Sequence, residues 1–317
     1  MGNLMGLAAV GVLGLGILVF PEVSTQPLSL SLIQPFSSAS IALSNFDNEV
    51  KTHEITNEAK FDRVMQYAIA QKLHQRPMSE IMQAIATQFL DTPYQAGILD
   101  RLPQEELVVR LDGFDCVLLI ETVLAMARGI AQQDYSHTMF VHQIENLRYR
   151  NGQLDGYCSR LHYFSEWISD NQTRSLVKDL TPILSDVTLP QTLNFMSQHR
   201  DRYPQLAKDE RTFECIKMQE ARLANLRMYY IPSKQVKDAY DKMQPGDIVA
   251  IATKIKGLDV THTGLIYRSP DGKIGLIHAS PSGKVKISPD LQTYVLGVKE
   301  QAGIMLIRPN DPRSQSK

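Results

Sequence analysis

Cys116 stands directly behind an acidic residue and ahead of a long uncharged run, in Asp112-Gly113-Phe114-Asp115-Cys116-Val117-Leu118-Leu119-Ile120. The Gly113 turn and Asp115 put the sulfur on the first turn of a predicted helix rather than in its middle. There the partial positive charge of the helix start favours a thiolate, and backbone N–H groups are available to an oxyanion. Two histidines follow far downstream, in Thr261-His262-Thr263-Gly264-Leu265-Ile266-Tyr267 and Leu276-Ile277-His278-Ala279. Alternation puts His262 on one strand face with Gly264 and Ile266, and His278 on a face with Leu276. A short turn joins these strands, so antiparallel pairing brings the rings side by side, one to accept the Cys116 proton and the other to fix its tautomer. A cysteine, a base and an orienting group make the chemistry of a cysteine hydrolase. Each residue also has a plainer reading, because a cysteine or histidine on an apolar face is commonly just packed in a core. Zinc held by the same three residues is the other chemical option. It lacks a closely spaced ligand pair and a fourth ligand, so neither metal nor cofactor is expected.

The elements that must position these groups fall into two blocks. Apolar spacing predicts helices from about Glu58 to His74, with Asn57 as cap and Phe61, Val64, Met65, Ala68 and Ile69 on one face, and from about Ser79 to Leu90. The helix from Cys116 to about Ile130 is apolar on nearly all sides and so is expected at the centre of the core. Further helices are expected at about Thr138 to Arg148, His162 to Asp170, Leu193 to Ala207 and Arg211 to Leu226. Beyond Pro232 come short β-rich runs, Ile248 to Ala252, Thr261 to Tyr267, Ile274 to Ala279, Lys284 to Ile287 and Gly303 to Ile307. The turns Pro270-Asp271-Gly272 and Pro281-Ser282-Gly283 make them an antiparallel meander. Helices first and sheet second is an α+β arrangement.

Composition sets outer limits. The 317 residues are 43% apolar, enough for a packed core, and 33 basic against 34 acidic residues leave a formal charge of −1. No global field therefore draws the chain to nucleic acid. The run from Leu4 to Phe20 carries no charge and ends at Pro21-Glu22. It reads as an export signal or an uncleaved membrane anchor (residues 1–22), followed by a linker (23–56) and one domain (57–317). Three cysteines, Cys116, Cys158 and Cys215, are too few for a disulfide scaffold. If the protein is exported, Cys158 and Cys215 can pair and leave Cys116 free. Sequence does not bring their Cα atoms within reach, and three separate thiols is the simpler expectation.

Taken in order, Asp115-Cys116, the strand from His262 to Tyr267 and Ile277-His278-Ala279 resemble the three active-site motifs of NlpC-type cell-wall cysteine peptidases, whose fold is papain-like. Thr92-Pro93-Tyr94, Leu107-Val108-Val109 leading into Asp115-Cys116 and Glu121, and Tyr157-Cys158-Ser159-Arg160-Leu161-His162-Tyr163-Phe164 resemble more closely the N-acetylmuramoyl-L-alanine amidase-like branch. The resemblance covers about residues 75 to 310. Asp91, where glycine is usual, and Cys158, where threonine is typical, depart from it.

The resemblance implies a papain-like helical part carrying Cys116, packed on a small antiparallel sheet carrying the histidines. It implies Cys116 as nucleophile, His262 as base, His278 as orienting group and Tyr94 at the oxyanion. Asp115, Ser159, Arg160 and His162 become substrate-cleft residues, with Arg160 suited to a stem-peptide carboxylate. The implied reaction is hydrolysis of the amide between N-acetylmuramic acid and L-alanine, in the periplasm or on the outer side of the inner membrane, with muropeptide as partner. A γ-D-glutamyl endopeptidase, an acyltransferase of the same fold and a non-catalytic wall-binding module are the alternatives.

Overall fold

The structure is a computed structural model and describes residues 57–189 and 192–315. The export signal or anchor and the linker expected over residues 1–56 lie outside the described residues. What the two blocks form is α+β, a helical layer on an antiparallel sheet.

In the helical layer, α1 (57–70) buries Phe61, Val64, Met65 and Ala68 but leaves Ile69 52% exposed, contrary to the grouping made by spacing. It stops short of His74 because Lys72 takes a left-handed φ of 51°. Asn57 does not cap it; its Oδ1 accepts the Leu111 N–H at 2.8 Å and ties the loop before the cysteine to this helix. Next come α2 (Met78–Thr87), α3 (Cys116–Ala131) and α4 (His137–Arg148). All 16 residues of α3 are buried, as its largely apolar sequence demands. Its one acidic residue, Glu121, is held by Arg148 of α4 at 2.8 Å, with both side chains 3% exposed or less. Removing one partner of such a pair typically costs about 3–5 kcal/mol, because the other charge stays buried.

After α5 (Phe164–Thr173) the chain is less regular. The helix expected from Leu193 to Ala207 is broken into short turns, Phe195–Gln198, Arg200–Arg202 and Pro204–Lys208, because Pro204 cannot continue a helix begun upstream. Helix α6 (Glu210–Leu223) follows. Its Cys215 is bonded to Cys158, so the pairing that the sequence left as the lesser expectation is the one that forms. Closing a loop across a separation of 57 residues restrains the unfolded chain by about 4 kcal/mol in the chain-entropy account.

The sheet has the order β1-β7-β3-β4-β5-β6, all antiparallel: β1 (Val177–Asp179), β3 (Ile248–Thr253), β4 (Val260–Arg268), β5 (Ile274–Ala279), β6 (Val285–Ser288) and β7 (Gln301–Pro309). A two-residue strand, β2 (Ile231–Pro232), also pairs with β7. The expected meander is β3 to β6, and β7 returns to lie beside β3. Strands β1 and β2 were not foreseen, being too short to show alternation. One face of the sheet (Ile248, Ala250, Leu265, Ile277, Met305) packs into the core shared with α2 and α3. The other (Val249, Ile251, Ile266, Leu276, Ile304) packs under a 3-10 run, Ser233–Lys242, and a short helix, α7 (Leu291–Gly297). Burial on both faces explains why β3 and β5 read as continuous apolar runs.

Candidate active site

Asp115 is extended, and its Oδ1 accepts the N–H groups of Val117 at 3.0 Å and Leu118 at 2.8 Å. This is an N-cap, so Cys116 is the first residue of α3, as expected. Helix α3 meets the sheet where two ladders part. The β4–β5 pairing ends at Leu265 with Ile277, whereas the β3–β4 pairing continues to Val260 through a bulge that leaves Thr261 without a partner of its own. Ile266 donates its N–H toward the β3 side, to Asp247 O at 2.8 Å. By alternation the Thr263 N–H turns the other way, into the opening between β4 and β5. It donates there to the Cys116 sulfur, and the Thr263 hydroxyl meets both that sulfur and, at 2.9 Å, the Cys116 carbonyl.

The histidines reach the same opening from the opposite face. His262 Nε2 lies 2.8 Å from His278 Nδ1 with the rings perpendicular, and both are buried. Gly264 makes room for this pairing, since a Cβ there would come within 2.8 Å of Ile277 O and the Leu276 side chain. Ser288 Oγ stands 3.1 Å from His278 Nε2, and the Tyr294 hydroxyl of α7 stands 3.4 Å from His278 Nδ1.

Electrostatics correct one expectation. Burial, and then the Asp115 carboxylate, push the Cys116 thiol up to about 12, against the pull of the Thr263 hydrogen bonds. The helix start does not yield a resting thiolate, because its first N–H groups already serve Asp115 and the sulfur is sealed from water. Burial also lowers His262 to about 4 and, together with His262 and Lys286, lowers His278 further. The resting thiol and the resting imidazole pair are thus both neutral. Burial and proximity to Cys116 raise both Tyr94 and Tyr294 above the ordinary phenol value, so both remain O–H donors near the sulfur.

Each of the four residues expected to touch substrate makes hydrogen bonds or ion pairs within the protein. Asp115 caps α3, and burial raises it to about 6. Ser159 Oγ closes its own turn, accepting from Asp155 N–H and donating to Gly156 O. His162 Nε2 meets Tyr157 O at 2.8 Å, and burial holds its ring neutral. Arg160 Nη2 pairs with Asp100 at 2.5 Å and its Nε faces Glu105 at 3.7 Å, while its Nη1 is buried without a hydrogen-bond partner. Asp100 and Glu105 escaped sequence reading because they lie more than fifty residues upstream. Thr263, Ser288 and Tyr294 escaped it too, though counting along the β5–β6 hairpin places Ser288 opposite Leu276, on the histidine face. Among the described residues no group of three or more His, Cys, Asp or Glu side chains could hold a metal ion.

Residues 84–304 match the AmiA-like family, described as N-acetylmuramoyl-L-alanine amidase-like. A crystal structure of an N-acetylmuramoyl-L-alanine amidase from Bacteroides uniformis is similar at 32% identity and a TM-score of 0.69, covering 74% of this chain and 99% of that one. A Bacteroides fragilis protein provisionally named a xylanase is similar at 33% identity and a TM-score of 0.63, covering 70% and 98%. A Legionella pneumophila protein, at 22% identity and a TM-score of 0.60 over 81% and 95%, shares the fold. Among curated proteins none matches.

Proposed function

Because the chain belongs to the N-acetylmuramoyl-L-alanine amidase-like (AmiA-like) family, we propose that it is a cysteine amidase of NlpC-type, papain-like ancestry. Its reaction is hydrolysis of the amide between the lactyl group of N-acetylmuramic acid and L-alanine in peptidoglycan fragments. The observation that carries this reading is the Cys116 thiol beside Thr263 where β4 and β5 part, joined to the His262–His278 pair through Tyr294, which lies near the sulfur and 3.4 Å from His278 Nδ1.

The chemistry follows from the resting protonation. Sulfur attacks the lactyl carbonyl carbon as His262 takes the thiol proton; a thiolate and an imidazolium formed together cost far less in a buried site than either alone. The Tyr94 phenol and the Cys116 N–H are the donors on the sulfur's side for the oxyanion. His262 then gives its proton to the leaving amine of L-alanine, and a thioester remains. Water attacks the thioester, His262 takes its proton and returns it to sulfur, and the muramic acid carboxyl is released.

Incubation with anhydro- and reduced muropeptides is expected to yield free stem peptide beginning with L-alanine, identified by mass spectrometry. Products that keep L-alanine on the sugar would instead make the enzyme a γ-D-glutamyl endopeptidase. The uncharged run from Leu4 to Phe20 and a disulfide of the kind that persists in oxidising compartments both support action outside the cytoplasm. Residues 1–50 fused to a reporter active only outside the cytoplasm are expected to give signal. A silent reporter would return the enzyme to the cytoplasm.

A further inference from the structure

A neutral imidazole has one N–H and one bare nitrogen, and a hydrogen-bonded pair of imidazoles can hold its protons in two ways. With His278 protonated on Nε2, three hydrogen bonds form at once. His262 Nε2–H donates to His278 Nδ1 at 2.8 Å, the Tyr294 hydroxyl shares that nitrogen's single lone pair as a weaker second donor at 3.4 Å, and His278 Nε2–H donates to Ser288 Oγ at 3.1 Å. With the proton on His278 Nδ1, that N–H donates to His262 Nε2, Ser288 donates to His278 Nε2, and the Tyr294 hydroxyl loses its acceptor. In this region an unmade bond is costly, since His278 is fully buried and Tyr294 partly so.

The two arrangements differ in what His262 presents to its surroundings. In the first, Nε2 carries the proton and Nδ1 is bare, the form able to accept a proton. In the second, Nδ1 is protonated and the ring is not a base on that side. We propose that Tyr294 is a positioning residue that acts through His278 to lock His262 in the tautomer with a bare Nδ1, Ser288 bonding His278 Nε2 in either arrangement. This rests on the reading of His262 as the base. Burial supports it by keeping both rings neutral, so that tautomer rather than charge is the variable. Lys286 stands opposite His278 across the β5–β6 ladder and opposes any charge on that ring. Ser288 comes from β6 and Tyr294 from α7, so two separate elements hold the one orienting ring in place and only the Tyr294 contact tells its tautomers apart.

Nitrogen-15 NMR of histidine-labelled full-length protein tests this without substrate, because protonated and bare imidazole nitrogens resonate far apart. The signals are assigned by their loss in His262→Ala and His278→Ala. The wild type is expected to show Nδ1 bare and Nε2 protonated on both rings, Tyr294→Phe to bring up signal from the opposite tautomer, and Ser288→Ala to leave the tautomer balance as it is. A bare Nε2 on His262 in the wild type, or a spectrum unchanged in Tyr294→Phe, overturns the proposal. With cleavable muropeptide, losing one such neutral hydrogen bond should lower kcat by about five- to tenfold at unchanged KM. In a His278→Ala background Tyr294→Phe should do nothing further, and a further loss there overturns action through His278. If no muropeptide is cut, the reaction assignment fails while the NMR still decides the tautomer.

Discussion

Cys116→Ala is expected to lower turnover by about 10⁴-fold or more, the scale on which hydrolases fall when the nucleophile is deleted. Among the described residues near the sulfur, Thr263 is engaged with Cys116 and both tyrosines are held protonated, so none of these replaces the thiol. Alanine fits the first turn of α3, the Asp115 cap uses only backbone donors beyond it, and the melting temperature should change little. Rapid-quench mass spectrometry should find a thioester-bound sugar fragment on the wild type and none on the variant. Substantial turnover by a folded Cys116→Ala protein would sink the nucleophile assignment. Burial and the Asp115 carboxylate keep the resting thiol protonated at pH 7, so attack depends on proton removal within the complex.

That dependence makes His262→Ala the second large loss, about 10²–10⁴-fold in kcat, as is usual when a proton shuttle is deleted. His278→Ala should cost less, because it removes the support of the base and not the base. If the His278 variant is the more damaged, the two roles are exchanged. Acidity supplies an independent check. Burial lowers folded His262 from 6.5 to about 4, so the base stays bare on acidification until about pH 4, and the acid limb of kcat/KM should fall there rather than near 6.5. Between those values the unfolded chain binds the extra proton and the folded one does not. The stability contributed by this ring is complete above 6.5 and is lost as pH falls toward 4. Asp115 acts in the opposite sense: burial raises it from 3.8 to about 6, and its contribution is lost as pH rises through 6.

Local pattern carried the positions of the reacting groups. An aspartate before a cysteine before an uncharged run is a cap, a nucleophile position and a buried helix in one string, and it gave α3 to within a residue. The strands bearing the histidines were likewise readable to within a residue at each end, and the face each ring shares followed from alternation. What could not be read depends on which distant segments meet. The high thiol value comes from burial by the sheet, and Arg160 lost its free charge to Asp100 and Glu105. The parting of β4 from β5 is an event between strands and leaves no mark on either. Helix α7 and its Tyr294 occupy only seven residues, too few for a period to show. Pro204 was a legible breaker inside an expected helix, and there propensity outweighed apolar spacing.

Three cysteines can form a single bond in three ways, and only Cys158 with Cys215 leaves the nucleophile intact. A chain oxidised in either of the other ways carries its sulfur locked in a covalent partner and is silent, so activity reports correct oxidation as well as correct folding. The burial of Cys116 bears on what happens afterwards. Exchange into a disulfide proceeds through a thiolate, and a sealed, un-ionised thiol is a poor attacker of the bond it could otherwise scramble. The same seclusion that leaves the resting enzyme dependent on His262 therefore shields its one structural bond from its own reactive sulfur.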